Sequence, residues 1–129
     1  MATYNHFYDL PVYKICRLFR KEISLIVKKH FPKTETYHLS AQILDSSRSI
    51  TANIAEGFGR FHYQENIQFC RQSRGSLTET MEHIITAYDD KYIGKEIISE
   101  INKNYKECLK QINGYIKYLK DSKLGNSDK

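Results

Sequence analysis

An all-α fold, a single antiparallel up-down-up-down four-helix bundle, is what the sequence predicts, and three observations predict it. Apolar residues recur at steps of three and four through most of the chain, and strand-like alternation is sustained nowhere. Only two prolines and six glycines punctuate 129 residues, which favours long elements over many turns. Each of four periodic segments carries one apolar stripe, and such a helix cannot bury its stripe alone. The length suits one domain with one core, here residues 1–120, followed by a polar, disordered tail at 121–129.

The first helix is expected over about 9–30. Asp9 suits an N-cap, Pro11 falls near the first turn, and Val12, Cys16, Phe19, Ile23 and Ile26 form the stripe. It must stop before Pro32, because the residue preceding proline is pushed out of the helical region. The second, over 37–57, carries Leu39, Ile43, Ile50 and Ile54, with Ser46 and Ser47 in the intervening turn where a neighbour can approach closely. The third, over 62–88, runs through Ile67, Cys70, Arg74, Leu77, Met81, Ile84 and Tyr88. The fourth, over 93–119, runs through Ile98, Ile101, Tyr105, Cys108, Ile112, Ile116 and Leu119.

The stretch "NIAEGFGRF", Asn53 to Phe61, sets Gly57 and Gly59 beside Arg60 and invites a phosphate-loop reading. That reading fails. His62 stands where the dinucleotide pattern needs a third glycine, no strand precedes, and no Lys-Ser/Thr follows. Gly57 is instead expected as a C-cap with positive φ, and Gly59 as a second permissive position in a helix-to-helix turn. Cys16, Cys70 and Cys108 are odd in number, far apart and inside apolar patterns, so they read as small buried hydrophobes of a reducing compartment. The five histidines show no ligand spacing, so neither a metal nor a cofactor is expected. No run approaches the roughly 18 apolar residues of a membrane span, and the N-terminus lacks a secretory pattern, so the expected compartment is the cytoplasm.

A polar seam crosses the second and third helices. Gln42, Ser49 and Glu56 flank the apolar stripe of the second helix at sevens, and Asn53 lies within it. Arg74 sits inside the stripe of the third, where an unpaired charge would cost several kcal/mol at least. Its candidate partners are Asn53, Ser49, Asp45 and Glu79. Such a seam can be a catalytic or ligand-binding cluster, or a hydrogen-bonded network that fixes helix register or meets another subunit; the second is the commoner use in bundles. Ser76 has no activating base at helical spacing, since His83 lies seven residues on, about 10 Å along the axis. No catalytic residues are assigned, and no enzyme is expected.

The order "YHLSAQILDSSRSITANIAEGFGR", "FCRQSRGSLTETMEHI" and "INGYIKYL" resembles the four-helix bundle family of 23S ribosomal RNA intervening-sequence proteins. That bacterial family includes the accessory variability determinant of diversity-generating retroelements. The resemblance covers Asp9 to Leu119 and rests most on Asn53 to Gly57 with Arg60, on Arg74 to Leu77 with Glu79, and on Tyr8, Leu10, Val12 and Tyr13. The chain departs from it in the second helix, where Gln42 is present but Leu44 and Asp45 stand where basic residues are usual. The resemblance implies a homo-oligomeric ring, a pentamer, with no established activity. For the retroelement branch it implies a nucleic-acid-binding partner of a reverse transcriptase.

The net charge of +5 is unevenly spread. Residues 1–30 hold six Lys/Arg against two acids, residues 101–129 seven lysines against three acids, and residues 75–100 six acids against two lysines. Two basic rows emerge: Lys14, Arg17, Lys21 and Lys28 on the first helix, and Lys103, Lys106, Lys110, Lys117 and Lys120 on the fourth. With Arg60 at the turn they are the candidate contacts to an RNA or DNA backbone, and Tyr115 and Tyr118 flank Lys117 as candidate stacking residues. The blander reading is a solvated outer face. A rival function is a protein-interaction scaffold whose acidic residues Glu79, Glu82, Asp89, Asp90, Glu96 and Glu100 meet a basic partner or the first helix of a neighbouring subunit.

Overall fold

The computed structural model describes residues 3–125. It contains α1 (Pro11–His30), α2 (Leu39–Phe58), α3 (Tyr63–Asp89) and α4 (Lys95–Gly125). Single 3-10 turns, Phe7–Asp9 and Lys33–Glu35, precede α1 and α2. Each helix packs against its neighbours in sequence, and α1 also packs against α4, closing an antiparallel four-helix bundle. Among the described residues there is no strand, and no helix is long and apolar enough to cross a membrane.

The ends of the helices follow local chemistry. Pro11 occupies N1 of α1, but the N-cap is Leu10, because Asp9 belongs to the preceding 3-10 turn. At its other end, Phe31 is extended (φ −81°, ψ 137°), as a residue before proline must be. Lys28, Lys29 and His30 fill the last turn, where cations complement the helix dipole. Between α3 and α4 the chain turns through a Schellman arrangement: Tyr92 N–H donates to Ala87 O, and Lys91 N–H to Tyr88 O. Lys91 takes the left-handed position there (φ 67°).

The expected C-cap role of Gly57 is corrected. Gly57 lies inside α2, buried, and Gly59 is the C-cap at φ −75°; no described glycine has positive φ. A Cβ on Gly57 would stand 2.6 Å from Asn66 Oδ1 and 2.9 Å from Phe69 Cβ. The residue is there so that α3 can lie against the α2 backbone. Helix α4 also departs from expectation. It starts at Lys95 and runs through residues 121–125 of the expected tail, while 126–129 lie outside the described residues.

The core is a column of β-branched and aliphatic side chains, with Ile23, Ile43, Ile54, Leu77, Ile84, Ile101 and Ile112 essentially sealed from solvent. Burying each contributes about 1.5–3 kcal/mol. Val27 replaces Ile26 in the α1 stripe, and Ala87 replaces the exposed Tyr88 in α3. Along α2 and α3, small hydroxyl residues bring the backbones together. Ser46 Oγ and Thr80 Oγ1 are 2.8 Å apart, and Ser73 Oγ donates to Ile50 O at 2.7 Å. Among the described residues no buried side-chain nitrogen or oxygen lacks a hydrogen bond. The three cysteines are free and buried; Cys108 beside it and then burial raise the Cys16 thiol, and burial pushes Cys70 up to about 12. Both are thereby kept protonated and unreactive.

Candidate nucleic-acid interface

Helix spacing puts the basic residues of α1 on one flank. Lys14, Arg17, Lys21 and Lys28 are all exposed. Arg20, one turn beyond Arg17, donates from Nη1 to Thr51 Oγ1 of α2 at 2.8 Å, so this flank is the one nearer α2. The opposite flank of α1 meets α4, where Asn104 Nδ2 donates to both Glu22 carboxylate oxygens at 3.0 and 3.1 Å. Burial raises the Glu22 carboxyl above its ordinary range, with Asn104 opposing and Glu100 adding to the shift.

On α4, Lys103, Lys106, Lys110 and Lys117 are likewise exposed, opposite the buried stripe of Ile101, Cys108, Ile112 and Ile116. The two rows do not merge into one surface. The α1–α4 groove lies between them and carries Glu22, Glu100 and Glu107. Lys117 pairs with Asp121 at 3.1 Å; the other eight members of these rows, Lys120 included, make no ion pair among the described residues. Arg48 of α2 is an exposed cation that sequence reasoning missed. It stands one turn before Thr51, on the flank of α2 that faces α1, and a helical wheel of α2 anchored on Ile50 would have found it.

Arg60 is differently placed. It pairs with Glu56 at 3.1 Å and Glu65 at 3.8 Å, and its guanidinium lies 4.8 Å from the centre of the Phe69 ring. A cation so neutralised is poorly suited to holding phosphate.

The polar seam separates into unconnected parts. Asn53 Nδ2 donates to Ser49 O and Ser49 Oγ, both at 2.9 Å, and Ser76 Oγ donates to Ser49 Oγ across the helix contact at 2.9 Å. Arg74 is not a core residue: Ser73 takes the fully buried position, and Arg74 reaches α4, donating to Asn113 Oδ1 at 2.8 Å. None of its expected partners holds it. Gln42 and Glu56 are exposed on α2, and Glu79 lies beside His83 at 3.3 Å on the outside of α3. Asn53, Glu56 and Arg74 thus form no common site, and Ser76 has a serine, not a base, as its partner.

The acidic residues Glu79, Glu82, Asp89, Asp90, Glu96 and Glu100 are all exposed, running from the later turns of α3 into the start of α4. There Tyr92 donates from its hydroxyl to Glu35 Oε2 at 2.7 Å, tying the two connections at this end. That bond lowers the Glu35 carboxyl, with Leu39 N–H assisting, and raises the Tyr92 phenol to about 12. Among the described residues no three His, Cys, Asp or Glu side chains converge as a metal site would require.

The profile of the 23S rRNA-intervening sequence protein family matches residues 8–114. Among solved structures, a protein of unknown function from the S23 ribosomal protein family of Bacteroides thetaiotaomicron VPI-5482 is similar in fold. It superposes with a TM-score of 0.75 at 25% identity, over 82% of this chain and 98% of that one. No curated protein sequence matches. The family match takes in α1, α2, α3 and most of α4, so the chain belongs to the 23S rRNA-intervening sequence protein family.

Proposed function

We propose that the protein is a non-enzymatic adaptor, acting in the cytoplasm as a homo-oligomeric ring, that binds RNA or DNA through the sugar–phosphate backbone. One observation carries the reading. Lys14, Arg17, Lys21, Lys28, Lys103, Lys106 and Lys110 are exposed in two rows, and among the described residues no carboxylate pairs with them. Rows that only keep a helix soluble are commonly laced with i,i+4 ion pairs. Here Glu107 meets Gln111 and Glu22 meets Asn104, which leaves the cations free. With no groove-reading element, contact is to phosphates, and a ring multiplies each row by its number of subunits.

The ring has separate support. Leu18 and Leu25, two turns apart on α1, are 61% and 66% exposed beside the α1–α4 groove, a band that a single chain leaves uncovered. A second reading, a scaffold for a basic protein partner, draws on the acidic end of α3 and α4; a reverse transcriptase is one such partner.

Fluorescence titration with labelled RNA and duplex DNA at two salt concentrations tests the proposal. If each subunit engages about four phosphates, affinity for duplex should fall about a hundredfold between roughly 50 and 200 mM salt. Arg17→Glu with Lys21→Glu should weaken binding and flatten that dependence. Absence of binding at low salt would leave only the scaffold.

A further inference from the structure

Where α1 begins and α4 ends, the surface opens into a cleft of about 510 Å³. One wall is Leu10, Pro11 and Val12; the other is Gly114, Tyr115 and Tyr118. Lys110 is the only charged residue lining it among those described. The Tyr115 and Tyr118 rings lie nearly parallel, 6.1 Å apart at 12°, and Asn66 Nδ2 donates to the Tyr115 hydroxyl at 3.3 Å. Tyr115 is thereby anchored to α3, and Tyr118, lying parallel to it, is still 38% exposed.

Gly114, like Gly75 of α3, is a helix-interior glycine that the fold does not explain, but only Gly114 lines this cleft. It sits inside a 31-residue helix, where glycine is the least favourable residue after proline. A Cβ there would meet nothing within 4 Å, so no neighbour within the chain requires its absence. What the missing side chain does is leave the wall of the cleft open down to the α4 backbone. A flat ring can enter beside Tyr118 only if that space is free.

We propose that this cleft takes an unpaired base of a single-stranded nucleic acid, stacked against Tyr118, with the adjoining phosphate on Lys110. The inference rests on the nucleic-acid reading above and deepens it. Lys110 lines the cleft and the exposed Lys106 lies one turn before it on α4, so the two can follow a strand's backbone while the aromatic face takes its base, which is how sequence-tolerant single-strand binding works. A neighbouring hollow shares Tyr4, Tyr115 and Tyr118 and adds the 93% exposed Phe61, so the stacking surface continues toward the α2–α3 turn. A duplex, whose bases are already stacked and paired, gains nothing from this surface.

The test compares a labelled thymidine strand of about twelve nucleotides with an abasic strand of the same length and charge. The wild-type protein should prefer the thymidine strand by about fivefold or more. Gly114→Leu, which fills the cleft, and Tyr118→Ala, which removes its face, should each erase the preference and leave the abasic strand's affinity unchanged. Circular dichroism should show Gly114→Leu folded, since the space it enters is open. Equal wild-type affinities overturn the base site and leave the backbone reading standing; no binding of either strand at low salt overturns both. If Gly114→Leu instead lowers the assembled mass while the preference survives, the cleft belongs to a second copy of the chain and the inference is wrong.

Discussion

Gly57 and Gly75 show how one absent methyl can have opposite effects in neighbouring helices. Alanine at either position gains up to about 1 kcal/mol of helix propensity. At Gly57 the new Cβ would press on Asn66 Oδ1 and on Phe69 Cβ, and the latter is fixed to the α3 backbone and cannot swing away. Overpacking of that kind costs about 1–3 kcal/mol and outweighs the gain. At Gly75, exposed in the middle of α3, nothing lies within 4 Å. Urea unfolding should therefore show Gly57→Ala less stable by about 1–2 kcal/mol and Gly75→Ala more stable by about 1 kcal/mol. The sequence marked Gly57 as special but not why, since a helix stop is a local signal and a crowding neighbour is not. Arg74 shows a similar limit. A three-four alternation keeps pace with 3.6 residues per turn only on average, so the stripe drifted by one residue and hid Ser73, which the α2–α3 contact buries completely.

The helices themselves were legible where punctuation is strong, at Pro11, Pro32 and Gly59, and less so where a helix simply continues, as α4 does to Gly125. The two lateral seams differ in character. Between α2 and α3, hydroxyl pairs satisfy one another without charge, whereas between α1 and α4 the polar contact is the Glu22 carboxylate held by Asn104. Burial raises the Glu22 carboxyl, so the folded state binds its proton more tightly than the unfolded chain does. Its ionised form thus costs stability at neutral pH, and the cost vanishes as pH falls below the ordinary carboxylate range. Glu22→Gln keeps an acceptor for Asn104 and removes the charge. The variant should exceed the wild type in urea midpoint at pH 7, by less than about 1 kcal/mol because the group remains largely solvated, and match it near pH 3. Glu35 has the opposite sign. Its lowered carboxyl stabilises the fold above the ordinary range and loses that effect as pH falls through its folded value, so Glu35→Gln should be the less stable variant at pH 7.

At the scale of the whole molecule, two features of one chain point outward: cations that, Lys117 apart, have no ion-pair partner among the described residues, and leucines without cover. Leu18 and Leu25 fall off the stripe that the sequence already assigned to this helix, so they were legible as outward leucines, but only the packed core on Val12, Cys16, Phe19, Ile23 and Val27 shows that nothing in the chain covers them. Their flank of α1 borders a groove that also exposes part of Ile15, Ile26 and Ile97. A contact made by this flank on a different surface of the next copy is heterologous, and such contacts close into rings when the rotation permits. Light scattering should then give the wild type a mass several times 15.2 kDa, five times for a pentamer. Leu18→Glu with Leu25→Glu, set beside Glu22, Glu100 and Glu107, should bring the mass to that of one chain. Helicity should survive, because neither side chain supports the core of its own bundle. The same double variant links assembly to binding. It removes no cation, so a monomer that held nucleic acid with undiminished affinity and salt dependence would show that the field of a single bundle suffices. A loss of about tenfold or more would show that the rows act together across copies. A wild-type mass of 15.2 kDa would remove the ring, and with it the multiplication of charge on which that expectation depends.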